Sequence, residues 1–551
     1  MLATADMRRA AEIDMADIVL IQPKFDPTYW GFDYALPLFR KAAFLPPLNL
    51  ALLAALTPAE HTVTIFDENI GPIDYERCRR ADIVGVTGMA VQRIRMREVI
   101  LELKSRGIFT VLGGPWATVK PEDLGPLVDV VFIGEAEETW PRFLVEWEEG
   151  RHGKRYEQAE KSDMSAVPAP RLDLLPMRQY LYGSLQISRG CPFTCEFCDI
   201  IVVFGRRPRL KNTRQVIAEL EGLRAAGMHD AFIVDDNLIG NKKAIKEILR
   251  EIIAWQEANG YPISFVTEAS IDLAEDPELM QLMLEANIDT VFVGIESPNE
   301  ESLRETKKIQ NLTDRSGTVL EKIHRIQDAG ILVSGGMIVG FDNDDASVFD
   351  LQRRFVEKSR IAQIMAQMLF AIPQTPLYKR LEREGRLRDL LPMSNWGTAA
   401  ATNVVPLRMT AEELRDGYFA LLDDLYDPDA FFARMDAMCF ETGWLPAAGR
   451  TRYLRRHPLR RLKLRTRAGI EALYIFVQLM RRVSNPSLRR RYRRQLVKVL
   501  LHRPNPRLLR IYAMFCALHF HYDKLIAQFK ATGPVVGETG SARQDARAAA
   551  D

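Results

Sequence analysis

Three of the chain's six cysteines fall within eight residues, in Cys191-Pro-Phe-Thr-Cys195-Glu-Phe-Cys198. Thiolates this close together can hold three corners of an iron–sulfur cluster. In a four-iron cubane this leaves one iron without a protein ligand, open to a substrate or cofactor. The motif also constrains the backbone. Pro192 rules out one regular helix that stacks the thiols on a face. Gly190, just before the first cysteine, suits a loop that approaches a cluster closely. The preceding run, Ser184-Leu-Gln-Ile-Ser188, reads as a strand. Three small buried side chains would be the bland alternative, and it leaves the clustering unexplained.

Strands and helices alternate on both sides of this motif. On the N-terminal side, residues 17–22, 61–66, 81–86, 109–112 and 128–133 read as strands, with helices at 47–55 and 91–104. That alternation predicts an α/β unit, a parallel, doubly wound, Rossmann-like sheet. Ligands of such sheets sit at the carboxyl ends of the strands. Small residues stand there: Thr87 and Gly88, Gly113 and Gly114, then Gly134 followed by Glu135. Any single glycine serves equally well as a tight turn, but three such exits along one edge predict a broad crevice. A Pro- and charge-rich stretch, 150–179, reads as a linker. A second series of strands follows at 185–188, 231–234, 263–268, 290–295, 332–339 and 367–372, with helices such as 213–226, 242–259 and 276–286 between them. Asp235, Asp236 and Asn237 follow the second of these strands, Glu268 closes the third, Glu296 follows the fourth and Gly340 the fifth. Barrel enzymes carry their working groups at these ends, and carboxylates there accept hydrogen bonds from hydroxyl or ammonium groups. Asp344 and Asp345 read as a solvated loop capping a helix that begins near Ser347. His324, alone on a helix, reads as structural.

The C-x3-C-x2-C spacing, with Phe197 before the last cysteine, resembles the signature of radical S-adenosylmethionine enzymes. In that family the open iron chelates S-adenosylmethionine, and its reductive cleavage releases a 5′-deoxyadenosyl radical. Cys198-Asp-Ile-Ile-Val-Val-Phe-Gly-Arg-Arg-Pro-Arg209 and Asp235-Asp-Asn-Leu-Ile-Gly-Asn-Lys-Lys243 are similar to the cobalamin-dependent radical methylases, most of all to the hopanoid C-2 methylase group. Asn403-Val-Val-Pro-Leu-Arg and the stretch from Met409 to Tyr418 continue the similarity. The resemblance implies a [4Fe–4S] cluster on Cys191, Cys195 and Cys198. It implies S-adenosylmethionine near Glu268, Glu296, Asp236 and Gly340, and cobalamin in the crevice of Thr87, Gly88, Gly113, Gly114, Gly134 and Glu135. It also implies a partial, TIM-like (β/α)6 barrel over 180–375 and a reducing electron donor. The implied substrate is hydrophobic, a hopanoid methylated at C-2. A related methylase or oxidative cyclase of another isoprenoid or a tetrapyrrole is the alternative. One feature departs from the pattern. Many cobalamin folds place a cobalt-binding histidine in Asp-x-His-x-x-Gly, whereas this chain reads Asp67-Glu-Asn69-Ile-Gly71. No histidine coordination of cobalt is therefore expected.

At 551 residues two or three domains are expected: a tail at 1–16, the cobalamin-binding-like unit at 17–149, the linker, the barrel, a helical extension at 376–449, a basic helical region at 450–531 and a disordered tail at 532–551. Thr410 reads as the N-cap of a helix running to Tyr426. No apolar run approaches the ~20 residues of a membrane span. The N-terminus shows no signal-peptide core, and sparse, unpaired cysteines suit a reducing cytoplasm. The net charge of +1 hides an asymmetry. From Arg450 to Arg510 there are 20 Lys or Arg and one acid, Glu471, so this segment carries about +19 and points to an anionic partner. Leu454, Leu459, Leu462, Leu464 and the run from Ile470 to Met480 lie among these cations. Basic amphipathic helices lie on anionic membrane surfaces; a solvated basic face is the other reading. An RNA-binding methylthiotransferase ranks lower. No nucleic-acid module accompanies the charge, and Cys78 alone cannot build a second cluster in the N-terminal unit.

Overall fold

The computed structural model describes residues 15–313, 316–388, 401–442, 444, 448–532 and 535–536. The expected tails, 1–16 and 532–551, lie almost wholly outside these residues. Five β-branched runs form the first sheet: Asp17–Gln22 (β1), Thr62–Asp67 (β2), Ile83–Thr87 (β3), Thr110–Gly113 (β4) and Val130–Ile133 (β5). All pair in parallel, in the order β2-β1-β3-β4-β5. Strand side chains alternate between faces, and both faces are covered. Val19, Ile21, Val84 and Val86 pack on Met96, Val99, Ile100 and Leu103 of helix Arg93–Ser105. Ile18, Leu20, Ile83 and Val111 pack on the other side with Leu50 of helix Leu48–Leu56 and Trp140 of helix Thr139–Glu148. Near-continuous apolar strands are what a sheet buried on both faces requires.

The stretch expected as a linker is partly sheet. Arg155–Glu157 (β6) pairs in parallel with β5. Three residues flanked by charges carry no readable period, so its signal lies in tertiary packing, where the Tyr156 ring stacks on Phe132 at 5.3 Å.

The second sheet comprises Gly183–Leu185 (β7), Asp230–Ile233 (β10), Ser264–Glu268 (β11), Ile288–Glu296 (β12), Leu332–Val339 (β13) and Ile364–Met368 (β14). The six are paired in parallel in chain order, with β7 and β14 at the edges, which makes a partial barrel. Ser188–Arg189 (β8) and Arg209–Leu210 (β9) form a small antiparallel ribbon beside it. Two expected strands are corrected. The run 185–188 is divided, because β7 ends at Leu185 and β8 leaves the sheet to pair with β9. The last strand runs 364–368 rather than 367–372. The apolar text there has no internal stop, and Asn403 sets the end by holding both the N–H and the C=O of Ala371 at 2.8 Å.

The C-terminal region is helical, as expected, in Ala411–Leu425, Pro428–Asp436, Pro458–Arg482, Pro486–His502 and Pro506–Thr532. Thr410 forms a capping box with Glu413. Helix Pro506–Thr532 packs against the barrel. Gln363 donates to Tyr522 Oη at 2.9 Å, and Arg507 pairs with Asp289 at the amino end of β12 at 3.0 Å. Part of the basic region therefore neutralises acids at the barrel floor and is not a solvated face. Among the described residues no helix is long and apolar enough to cross a membrane.

The two sheets are joined by buried charge. Arg209 on β9 donates to both carboxylate oxygens of Glu135, just past β5, at 2.6 and 3.0 Å. Arg189 on β8 pairs with Glu137 at 2.6 Å. All four side chains are at most 14% exposed. Although burial opposes its charge, the hydrogen bonds from Arg209 and Ser162 and the charge of Arg189 hold Glu135 below the ordinary carboxylate range. Removing one partner of a buried pair strands the other's charge. Arg209→Ala is therefore expected to lower stability by about 3 kcal/mol at neutral pH, read as a fall in the denaturant midpoint. Because the folded-state pKa is depressed, the difference from wild type should shrink as pH falls through it. An unchanged midpoint at pH 7 would show that the pair does not hold the sheets together.

Candidate active site between the two sheets

The cysteine loop hangs from the barrel by buried carboxylates. Asp235 accepts from the Ile187 N–H and the Ser188 hydroxyl, both at 2.7 Å, and Asp236 accepts from the Gly190 N–H at 2.7 Å. Gly190 has φ of +92°, and a Cβ there would stand 2.9 Å from the carbonyls of Gly205 and Arg207. Only glycine fits this entry to the loop. On the far side, the Glu196 N–H donates to Thr306 O at 2.9 Å, and its carboxylate pairs with Lys307 at 2.8 Å and Arg380 at 3.3 Å. The Phe197 ring lies against Phe341, with centroids 6.1 Å apart.

Burial raises the thiol pKa of Cys191 and Cys198, so bare thiolates are disfavoured here, whereas a coordinating metal deprotonates a thiol outright. Asn237 Nδ2 lies 3.8 Å from Cys191 Sγ, and Gln310 Nε2 lies 3.6 Å from Cys195 Sγ. Side-chain donors aimed at cysteine sulfurs are one of the means by which proteins tune iron–sulfur clusters. Among the described residues, no three Cys, His, Asp or Glu side chains converge on one ion site. A cluster makes no such demand, since each thiolate takes a different iron. The donor set fits a [4Fe–4S] group. Cys78, Cys439 and Cys516 are buried elsewhere.

Glu268 and Glu296 end β11 and β12. Burial, then repulsion from Asp236, pushes Glu268 up to about 8. Burial likewise pushes Asp236 up to about 7 and Asp235 to about 6. Glu296 is aimed by its backbone. The pairing shifts register between Gly294 and Glu296, and Glu296 has φ of +63°, a left-handed conformation rare for a residue with a side chain. Bulges at strand ends re-aim side chains in this way. Glu296 then pairs with Lys308 at 2.7 Å. A Cβ on Gly294 would fall 2.4 Å from Glu296 Oε1 and 2.8 Å from Lys308 Nζ, so this glycine makes room for the pair. Burial opposes the charge of Lys308, yet Glu296, Cys195 and Cys198 hold its pKa above the ordinary lysine value.

Sequence reading missed Lys308 and Gln310. Lys308 caps and Gln310 lies within the one-turn helix Ile309–Asn311, where no strand end marks them. Gly340, at φ of +99°, donates with Phe341 to Asp344 at 3.0 and 3.1 Å. Asp344 is thus a buried turn organiser, not the solvated acid expected. Its two N–H donors and the Ser302 hydroxyl supply the partners that water would otherwise provide. Asp345 accepts from the Ser347 N–H at 2.9 Å in the turn before helix Val348–Ser359, and does not cap the helix itself. His324 bonds the Lys358 carbonyl at the surface.

At the carboxyl ends of β1–β5 a cleft of about 420 Å³ faces the cysteine loop. Thr87, Gly88, Gly113, Gly114, Gly134 and Glu135 all line it, opposite Gln186, Arg189 and Lys211. The glycines divide by cause. A Cβ on Gly114 would meet Thr87 Oγ1 at 2.3 Å and one on Gly134 would meet Gln158 O at 2.9 Å, so packing demands both. A Cβ on Gly113 meets nothing nearer than 3.6 Å and would occupy the cleft itself. That glycine keeps the floor open to a large flat ligand, which fits a corrin. Glu135 lines the cleft with its carboxylate already committed to Arg209 and Ser162. The Asn69 side chain donates to Asp67 at 2.7 Å and accepts from the Phe25 N–H at 2.9 Å. No histidine lines the cleft among the described residues.

Comparison with known proteins agrees with this geometry. Residues 185–353 match the family model of the radical SAM superfamily, 41–144 that of the B12 binding domain, and 375–532 a domain of unknown function, DUF4070. An uncharacterized methyltransferase of Synechocystis sp. is 40% identical over 77% of this chain and 78% of its own length. The hopanoid C-2 methylase of Rhodopseudomonas palustris is 35% identical over 67% of this chain and 71% of its own. In fold, the chain is similar to the radical S-adenosylmethionine methyltransferase TsrM from Kitasatospora setae, at TM-score 0.54 and 18% identity, over 69% of this chain and 76% of that one. The resident cofactors are thus a [4Fe–4S] cluster, S-adenosylmethionine and cobalamin. A cysteine loop and a glycine-lined cleft on either side of one seam, with both halves matched, lead to a single assignment: the chain belongs to the cobalamin-dependent radical S-adenosylmethionine methyltransferases.

Proposed function

We propose that this enzyme methylates an unactivated carbon of a hydrophobic polycyclic lipid, C-2 of a hopanoid, on the cytoplasmic side of an anionic membrane and with electrons from an external donor. Support comes from the 35% identity to the hopanoid C-2 methylase, which covers 67% of this chain and 71% of that protein. A largely apolar cavity of about 160 Å³ inside the lower barrel is lined by Trp30, Phe232, Val266 and Phe292, with Asp230, Asp289, Arg507 and Arg510 at its edge.

When bound, the cluster and S-adenosylmethionine supply a carbon radical that takes a substrate hydrogen, and methylcobalamin supplies the methyl group. The protein's residues bind, orient and exclude water. Cys191, Cys195 and Cys198 would hold the cluster, with Asn237 and Gln310 donating to its sulfur ligands. Glu268 and Glu296 would receive the ammonium and hydroxyl groups of S-adenosylmethionine, with Lys308 balancing their charge. Asp236 and Gly340 set the loops on either side. Thr87, Gly88, Gly113, Gly114 and Gly134 would shape the corrin seat, and Asn69, tied to Asp67, would leave cobalt without a histidine.

Two measurements test this reading. At pH 7 Glu268, with its pKa of about 8, holds its proton. A cation seated beside it favours the carboxylate, so binding of S-adenosylmethionine should release protons. Calorimetry at pH 7 in buffers of different ionisation enthalpy should show that release, and Glu268→Gln should reduce it. Equal proton release by the variant would remove Glu268 from the cofactor site. In the second test, anaerobic enzyme given a hopanoid, S-adenosylmethionine, cobalamin and a reductant should form the C-2 methylated product, found by lipid mass spectrometry. Cys195→Ala should lose both the iron absorbance and the product, whereas Cys439→Ala should keep both. A fully loaded enzyme that leaves hopanoids unchanged would move the substrate to another isoprenoid or to a tetrapyrrole.

A further inference from the structure

The basic C-terminal helices divide their charge between two tasks. Arg507 and Arg510 are spent on Asp289 and Glu471. Arg455, Arg456, Arg461, Lys463 and Arg465 are exposed and have no carboxylate partner among the described residues. Helix Pro458–Arg482 buries Ala472, Ile475 and Leu479 against the body of the protein. On its opposite face, Leu459, Leu462, Ile470 and Leu473 stand 62–83% exposed. Their spacing of three, eight and three residues puts all four on one stripe, about 21 Å long. Large aliphatics placed this regularly on the solvent side of a helix, among cations, have no use in the monomer.

Beneath the start of this helix lies a cavity of about 1180 Å³, lined by ten Lys or Arg and by only two acids, Asp230 and Glu471. Arg450 enters it from below. Among the described residues its guanidinium reaches only Ser264 Oγ, at 3.2 Å, and its buried Nε has no partner. Burial, and repulsion from Arg507, push Arg450 down to about 10. Arg452 pairs with Glu285 and Arg467 with Glu471, so part of the charge is met and the rest is in excess.

We infer that the Leu459–Leu473 face of helix Pro458–Arg482 seats on an anionic phospholipid bilayer, with the adjoining arginine-lined cavity receiving phosphate headgroups. The aliphatic stripe enters the headgroup boundary, and the unpaired cations meet lipid phosphates. A second copy of this face is a poor occupant, because it would bring like charges together. RNA would satisfy the cations and leave the stripe in water. Docking here directs the barrel floor toward the membrane, since Arg450 and Arg507 tie these helices to Ser264 and Asp289 at the amino ends of β11 and β12. Asp230, Arg507 and Arg510 line both the basic cavity and the apolar cavity within the barrel. A lipid drawn into the first therefore stands one layer of side chains from the second. This placement rests on the lipid-substrate reading for its purpose alone.

Full-length protein is mixed with vesicles of phosphatidylglycerol and phosphatidylcholine, or of phosphatidylcholine alone, without substrate, and sedimented. Binding to the anionic vesicles, absence of binding to the neutral ones, and release by salt are expected. The double variants Leu459→Glu with Ile470→Glu, and Lys463→Glu with Arg465→Glu, should each weaken binding roughly tenfold or more while the iron absorbance stays intact. Failure to bind anionic vesicles, or unchanged binding by the leucine variant, overturns the docking. So does RNA bound equally well by wild type and the leucine variant with no vesicle binding. Product formation from detergent-dispersed hopanoid tests the substrate reading separately, so either can fail alone.

Discussion

Parallel sheets of this kind take their ligands at their carboxyl ends, and the buried Glu135–Arg209 and Glu137–Arg189 pairs turn those ends toward one another. Each arginine lies on the short β8–β9 ribbon that brackets the cysteine loop. Each glutamate follows the last strand to reach the cleft. The same few side chains thus fix how far the loop stands from the corrin seat. Desolvating four charges is unfavourable unless each is paired and its remaining donors are satisfied. Here Ser162 contributes its N–H and its C=O to the network, while the buried Arg209 Nε has no partner among the described residues. Such a junction tolerates little sliding, which suits an enzyme whose two cofactors must act on one carbon.

The second organising constraint is a concentration of carboxyl groups. Asp235, Asp236, Glu268 and Glu296 crowd the top of the barrel beside three cysteines. Two of the aspartates work as scaffolding, since they hold the backbone of Ile187 and Gly190 rather than reaching outward. Glu296 is neutralised by Lys308. Glu268 has no ion-pair partner among the described residues, and burial pushes its pKa up to about 8. This leaves one acidic position in the site that a cationic ligand can complete.

The cysteine loop, both parallel sheets and the helical C-terminal region were legible in the sequence, because each rests on spacing or on a long apolar period. Glu268 and Glu296 were legible as strand-end positions. Lys308, Gln310 and the β6 strand were not. Each is short, polar and fixed by partners distant in sequence, such as Cys195 for Gln310 and Phe132 for Tyr156. Asp344 looked solvated because its neighbours are charged; only the folded turn shows its carboxylate enclosed by Gly340, Phe341 and Ser302. The basic segment gave its charge from sequence but not its division. Arg450, Arg507 and Arg510 serve the barrel floor, and the solvent-facing leucines between the remaining cations emerge only once the buried face of the helix is known.

On this geometry the cluster and the corrin would share one chamber across the Glu135–Arg209 seam. Low-temperature electron paramagnetic resonance of the anaerobic enzyme, with the cluster reduced and cobalt in the divalent state, tests it most directly. A shared chamber requires a dipolar interaction that broadens or splits both signals. Two independent, unperturbed spectra from fully loaded protein would contradict it.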